Sequence, residues 1–217
     1  MSVISTFKTL KIDKESIAYQ GSLLGGIAAL ATLVLLLVYD FTAENISLRH
    51  REDQLSGLTQ VLPQAYYQND LLASQYQWLL NDQNYQVFVG KDDTNKILSY
   101  AVQFQAQGFS GYITILMGLD ANFTILGVRV LEHTETPGLG DKIEIARNDW
   151  ITSFNGRSLQ NTQEAMWAVK KDGGGFDQFT GATITPRAIV NEVYKSLVLM
   201  QSDLKQLISE ELANESV

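Results

Sequence analysis

The sequence contains no cysteine. A chain without thiols has no disulfide framework, no thiolate zinc site, no Cys-ligated iron–sulfur cluster and no cysteine nucleophile, so any redox chemistry must come from another kind of cofactor. Positive charge is also scarce: 16 Lys and Arg stand against 24 Asp and Glu, for a formal net charge of −8, and no Lys/Arg-rich block occurs. Nucleic-acid binding needs clustered positive charge to neutralise phosphates, and that footprint is missing. Proline is rare, with 3 residues, and 45% of the 217 positions are hydrophobic. Such a chain folds; its composition excludes disorder as the main state.

The apolar residues are concentrated near the N-terminus. No charged residue falls between Glu15 and Asp40, and Leu23 to Val38 is almost continuous Leu, Ile, Val, Ala and Gly. As a helix at 1.5 Å per residue, positions 16–39 would be about 36 Å long, against about 30 Å for a bilayer's hydrocarbon core. One membrane span is the reading. A cleaved signal peptide would end on small residues, whereas Leu35-Leu36-Leu37-Val38-Tyr39-Asp40-Phe41 is bulky, so the span reads as a retained anchor. Lys8, Lys11 and Lys14 precede it, and Arg49 and Arg51 follow. The positive-inside rule counts basic residues, and three against two mildly favours residues 1–15 on the cytoplasmic side and most of the protein outside, so that charge alone does not settle the side.

After the span, residues 40–58 form a polar, helix-compatible stalk, and Leu48, Leu55 and, just past it, Leu62 follow at seven-residue spacing. Gly57 and Pro63 break that pattern, and Gln64 to Asn84 reads as one short helix with loops. From Tyr85 the period becomes two. Runs of β-branched and aromatic residues around 85–89, 97–107, 112–118 and 123–130 are separated by turn-forming segments, so a meander of about four antiparallel strands is expected. A helix or turn at Asn148–Phe154, a short strand at Met166–Val169 and a helix from Pro186 to about Glu211 complete an α+β domain over 59–217.

The chemistry-bearing segment runs from Asp172 to Arg187. It packs Gly173, Gly174, Gly175 and Gly181 with Thr180, Thr183 and Thr185 and the carboxylates Asp172 and Asp177, just before the last helix. With Thr185 as N-cap and Pro186 as first helical residue, free N–H groups and the positive end of the helix dipole would lie beside Thr183, a phosphate-compatible arrangement. A plain Gly-rich loop before an ordinary capped helix has the same composition. The spacing is neither a Walker A, which needs G-K-[ST], nor a Rossmann fingerprint.

The order Asp177-x-x-Thr180-Gly181-Ala182-Thr183-x-Thr185 resembles the flavinylation motif D-x-x-[ST]-G-A-[ST]-x-T of the FMN-binding domain family. Upstream, Glu132-His133-Thr134-Glu135-Thr136-Pro137-Gly138-Leu139-Gly140 is similar to that family's E-x-x-E-T-P-G-L-G segment, and Trp167 to Gly174 is similar to the run before its flavin site. Together with one span and this length, the resemblance extends to the G subunits of Rnf/Rsx-type ion-translocating oxidoreductase complexes. It implies FMN bound covalently, its phosphate joined to the Thr183 hydroxyl by a flavin transferase. It further implies Asp177 as part of the sequence read by that transferase, Thr180 and Thr185 near the phosphate, Gly181 and Ala182 leaving room for the cofactor, and Glu135, Thr136, Pro137, Gly138, Leu139 and Gly140 as a flavin-contacting loop.

The implied role is electron relay among the other membrane subunits of the complex, coupled to ion translocation or to reduction of the sensor SoxR. The implied location is a bacterial inner membrane, with the flavin domain on the periplasmic side. Two alternatives stay open: the C subunit of a sodium-pumping NADH:quinone oxidoreductase, and a membrane-anchored assembly module without flavin. Glu132, His133 and Glu135 suggest a metal cluster only weakly, and no metal site is expected. His50 reads as solvated, Trp150 and Trp167 as core, and Arg187 either as a phosphate contact or as an exposed first-turn residue.

Overall fold

The computed structural model describes residues 17–80 and 83–214; the expected cytoplasmic segment 1–15 lies outside them. The chain divides into two units, Met1–Glu52 and Asp53–Val217. In the first, helix α1 (Ile17–Val61) begins, and its Tyr19–Tyr39 stretch is 21 residues long, apolar enough to cross a membrane and nowhere buried. The Thr32 hydroxyl donates to the Ala28 carbonyl at 2.9 Å, which hides a polar group inside the helix.

The expected break at Gly57 does not occur, because α1 continues to Val61. Gly57 faces the sheet of the second unit, where a Cβ would lie 3.3 Å from Leu131 Cδ2, so its small size serves packing. Pro63 ends the helix, since the residue before a proline is pushed out of the helical region.

The second unit is built on one sheet, β1 (Gln75–Leu80), β2 (Gln83–Lys91), β3 (Ile97–Gln107), β4 (Tyr112–Asp120) and β5 (Ile125–Glu132), in spatial order β1-β2-β3-β4-β5 with every pair antiparallel. The meander therefore has five strands where the sequence suggested about four. Strand β1 alternates glutamines with Tyr76 and Trp78, but the surrounding Gln and Asn masked the period.

Alternation gives the sheet two covered faces. On one, Val87, Val102, Phe104, Ile115, Met117 and Val128 join the main core under helix α2 (Ile184–Asn214), which contributes Ile189, Val190, Val193 and Leu197. On the other, Phe88, Ala101 and Leu116 pack beneath Leu58, Val61, Leu62 and Leu71. A Cβ on Gly118 would come within 2.2 Å of the Val61 carbonyl oxygen, so only glycine lets the last turn of α1 lie this close to β4.

Between β5 and α2 the chain makes short 3-10 turns at Asp141–Ile143, Asp149–Phe154, Glu164–Met166 and Lys170–Asp172. The expected strand at 166–169 reduces to one parallel bridge between Val169 and Phe176. Gly173, at φ +89°, turns the chain back and ends any extension.

Candidate functional site

Helix α2 starts two residues earlier than its composition suggested. Ile184 is the first helical residue, and the Arg187 N–H donates to the Thr183 carbonyl at 3.3 Å, so Thr183 holds the cap position. Pro186 falls on the third helical residue, still among the first-turn positions whose N–H would have no intrahelical partner, which is why the helix tolerates it. The unpaired first-turn N–H groups and the positive dipole end thus gather around Thr183 itself.

Thr185 has another task. Its side chain is buried and donates a hydrogen bond to Glu135 Oε2. Glu135 is equally hidden, at 4% exposure, and a buried carboxylate is costly unless donors surround it. Its Oε1 accepts from the Phe109 N–H at 2.9 Å and the Ser110 N–H at 3.0 Å. One side chain therefore ties the β3–β4 hairpin tip, the loop after β5 and the start of α2. Glycines leave it space: a Cβ on Gly108 would lie 2.4 Å from Glu135 Oε1, and one on Gly140 would lie 3.0 Å from Glu135 Oε2 and 3.1 Å from Thr185 Oγ1.

Two tight turns complete the wall. In Thr136-Pro137-Gly138-Leu139 the Leu139 N–H donates to the Thr136 carbonyl at 3.1 Å, with Gly138 at φ +79°; proline second and glycine third is the type II pattern. In Phe179-Thr180-Gly181-Ala182 the Ala182 N–H donates to the Phe179 carbonyl at 3.1 Å, with Gly181 at φ +84°. The turns meet where Leu139 Cδ2 stands 3.5 Å from the position a Gly181 Cβ would take.

These segments line an open cavity of about 120 Å³. Of the residues singled out in the sequence, Glu135, Thr136, Leu139, Gly140, Gly181, Ala182, Thr183 and Thr185 line it. Phe109 and Ile184, which the sequence did not single out, line it as well. Pro137 and Gly138 are exposed on the outside of their turn. Asp177 and Thr180 open instead onto a separate recess that also includes Trp150 and Lys142.

The remaining candidates have structural partners. Asp177 pairs with Lys170 Nζ at 2.6 Å. Arg187 forms a two-pronged pair with Asp172, at 2.6 and 2.9 Å, and this guanidinium holds the Asp172 carboxyl below the usual carboxylate range. His133 Nδ1 accepts from the Glu135 N–H at 3.1 Å, which leaves Nε2 to donate to Glu144 Oε1 at 2.9 Å. Trp150 is buried, packs edge-on against Phe179 and donates from Nε1 to the Asp177 carbonyl at 2.7 Å. Trp167 lies in the core between the Phe176 and Tyr194 rings.

Residues 108–198 match the FMN-binding domain family, a stretch that contains every residue lining the cavity. The chain is 46% identical over 187 residues to the G subunit of the ion-translocating oxidoreductase complex of Stutzerimonas stutzeri, covering 85% of this chain and 81% of that one. It is 41% identical over 196 residues to the corresponding G subunit of Escherichia coli K12, covering 89% and 95%. The chain belongs to the family of G subunits of ion-translocating oxidoreductase complexes. Among solved structures, NqrC of Shewanella oneidensis is similar at 26% identity with a TM-score of 0.40, over 59% of this chain and 64% of that one.

The cavity of this G-subunit family member suits FMN chemically. A phosphoryl group beside Thr183 would meet first-turn N–H groups, the exposed Gly181 adds no side chain at the opening, and Phe109, Leu139 and Ile184 offer apolar surface to a planar ring.

Proposed function

We propose that this chain is a membrane-anchored flavoprotein subunit of an Rnf/Rsx-type electron-transport complex, carrying FMN through a phosphodiester to the Thr183 hydroxyl. One observation carries the reading: within the FMN-binding domain, Thr183 is the half-buried hydroxyl residue that both caps α2 and lines the cavity. The other two motif threonines are placed differently. Thr185 is buried and engaged with Glu135, and Thr180 faces the second recess.

Bound FMN supplies electron transfer in single steps, and the protein supplies its position and surroundings. Thr183 tethers the cofactor. The N–H groups around it stabilise the one negative charge that a phosphodiester keeps. Glu135, through Thr185 and the hairpin tip, sets the distance between the cavity walls. Asp177, exposed beside Thr180, belongs to the surface that a flavin transferase reads during maturation.

The further assignments follow from the same reading. Residues 16–39 cross a bacterial inner membrane, 1–15 stay cytoplasmic, 40–58 form a stalk and 59–217 hold FMN on the periplasmic side, beside the other membrane subunits of the complex. The electron flow is coupled by the complex to ion translocation or to SoxR reduction.

The test is co-expression of the full chain with a flavin transferase. Wild type should fluoresce in a denaturing gel under ultraviolet light and show the added FMN phosphoryl mass, whereas Thr183→Ala should show neither. A flavin mass retained by Thr183→Ala would overturn the attachment site.

A further inference from the structure

Phe109 is 68% exposed although it lines the cavity beside Thr183. Two further exposed apolar side chains share that cavity, Leu139 at 44% and Ile184 at 48%. They come from three separate segments: the β3–β4 hairpin, the loop after β5 and the first turn of α2. Single exposed apolar residues are ordinary, but three converging on one concave site mark a binding surface.

The exposure of Phe109 is held in place by its backbone. The hairpin closes through the Gly108 N–H donating to the Gly111 carbonyl at 2.8 Å. Both Phe109 and Ser110 donate their N–H groups to Glu135 Oε1. Gly108 has no room for a Cβ against that same oxygen. The ring is thus presented at the cavity wall by a constrained turn, and an aromatic face held beside an opening is suited to another planar aromatic system.

We propose that Phe109 packs against the isoalloxazine ring of the FMN held on Thr183 and determines how much of that ring solvent reaches. This inference rests on the covalent-FMN reading above. Leu139 and Ile184 supply aliphatic contacts to the same ring, while Glu135 acts only as a positioning residue that holds the hairpin tip.

The experiment uses the full chain in detergent, matured with a flavin transferase, as wild type, Phe109→Trp and Phe109→Ser, with intact mass counting bound flavin in each. Fluorescence per bound flavin should fall several-fold in Phe109→Trp, because an indole in contact with an excited flavin quenches it by electron donation. Iodide should quench the flavin more steeply in Phe109→Ser, where the cover is removed. Loaded variants that match wild type in both measurements would overturn the placement of Phe109 and leave the Thr183 attachment standing. A wild-type chain with no flavin mass would overturn the attachment and this inference together.

Discussion

Glu135 and Thr185 stand 50 residues apart in the chain and share a buried hydrogen bond, which joins the loop after β5 to the first turn of α2. The same carboxylate accepts two backbone N–H groups from the β3–β4 hairpin tip. Three walls of the candidate flavin cavity therefore depend on one side chain.

Removing the donor tests this arrangement. Thr185→Val keeps the shape but leaves a buried carboxylate oxygen without its partner, which should cost roughly 1–3 kcal/mol. Thermal unfolding of the full chain, followed by tryptophan fluorescence, checks it. Glu135→Gln should be milder than Glu135→Ala, since an amide oxygen still accepts both N–H groups; equal losses would contradict the hydrogen-bonding role.

The glycines around Glu135 should separate by mechanism. A Gly108→Ala methyl would collide with Glu135 Oε1, and a Gly140→Ala methyl would crowd Glu135 and Thr185. Gly138→Ala meets nothing within 4 Å but must adopt φ +79°, a strain of about 1–2 kcal/mol. Gly108→Ala should be the most destabilising of the three, measured as the shift in urea midpoint.

The Asp172–Arg187 pair makes a pH prediction. The Asp172 carboxyl lies below its ordinary 3.8 in the folded chain because Arg187 bonds it. A depressed carboxylate stabilises the fold above its unfolded value and loses that contribution as pH falls through the lower folded value. The difference in melting temperature between wild type and Asp172→Asn should therefore persist from pH 7 to pH 5 and vanish in strong acid below that range. Because the pair is exposed to solvent, the difference should be small.

Attachment should follow the nucleophilic hydroxyl at the cap. Thr183→Ser, which keeps an oxygen at the same atom, should retain covalent flavin, and Thr183→Val should lose it while remaining folded by circular dichroism. Loading of Thr183→Val, seen by intact mass, would point to another attachment atom.

Much of this protein could be read locally. The 16–39 run, the period-two segments of β2 to β5 and the glycine- and threonine-rich motif depend on neighbouring residues, and each showed in the sequence. Local sequence points to a cap two positions too late, because both Thr183 and Thr185 suit an N-cap and proline fits any position of a first helical turn. Strand β1 was hidden because glutamine and asparagine do not separate a solvated strand face from a loop.

The family motif, the apolar N-terminal segment, the meander and the absence of thiol chemistry are legible along the chain, because composition, run length and periodicity are short-range properties. It takes the folded chain to turn Thr185 inward to Glu135, to set Asp177 and Thr180 on a recess apart from Thr183, and to bring Phe109 to the cavity wall. Those outcomes depend on which donors come within reach of a buried carboxylate, and that is settled by packing segments far apart in the chain.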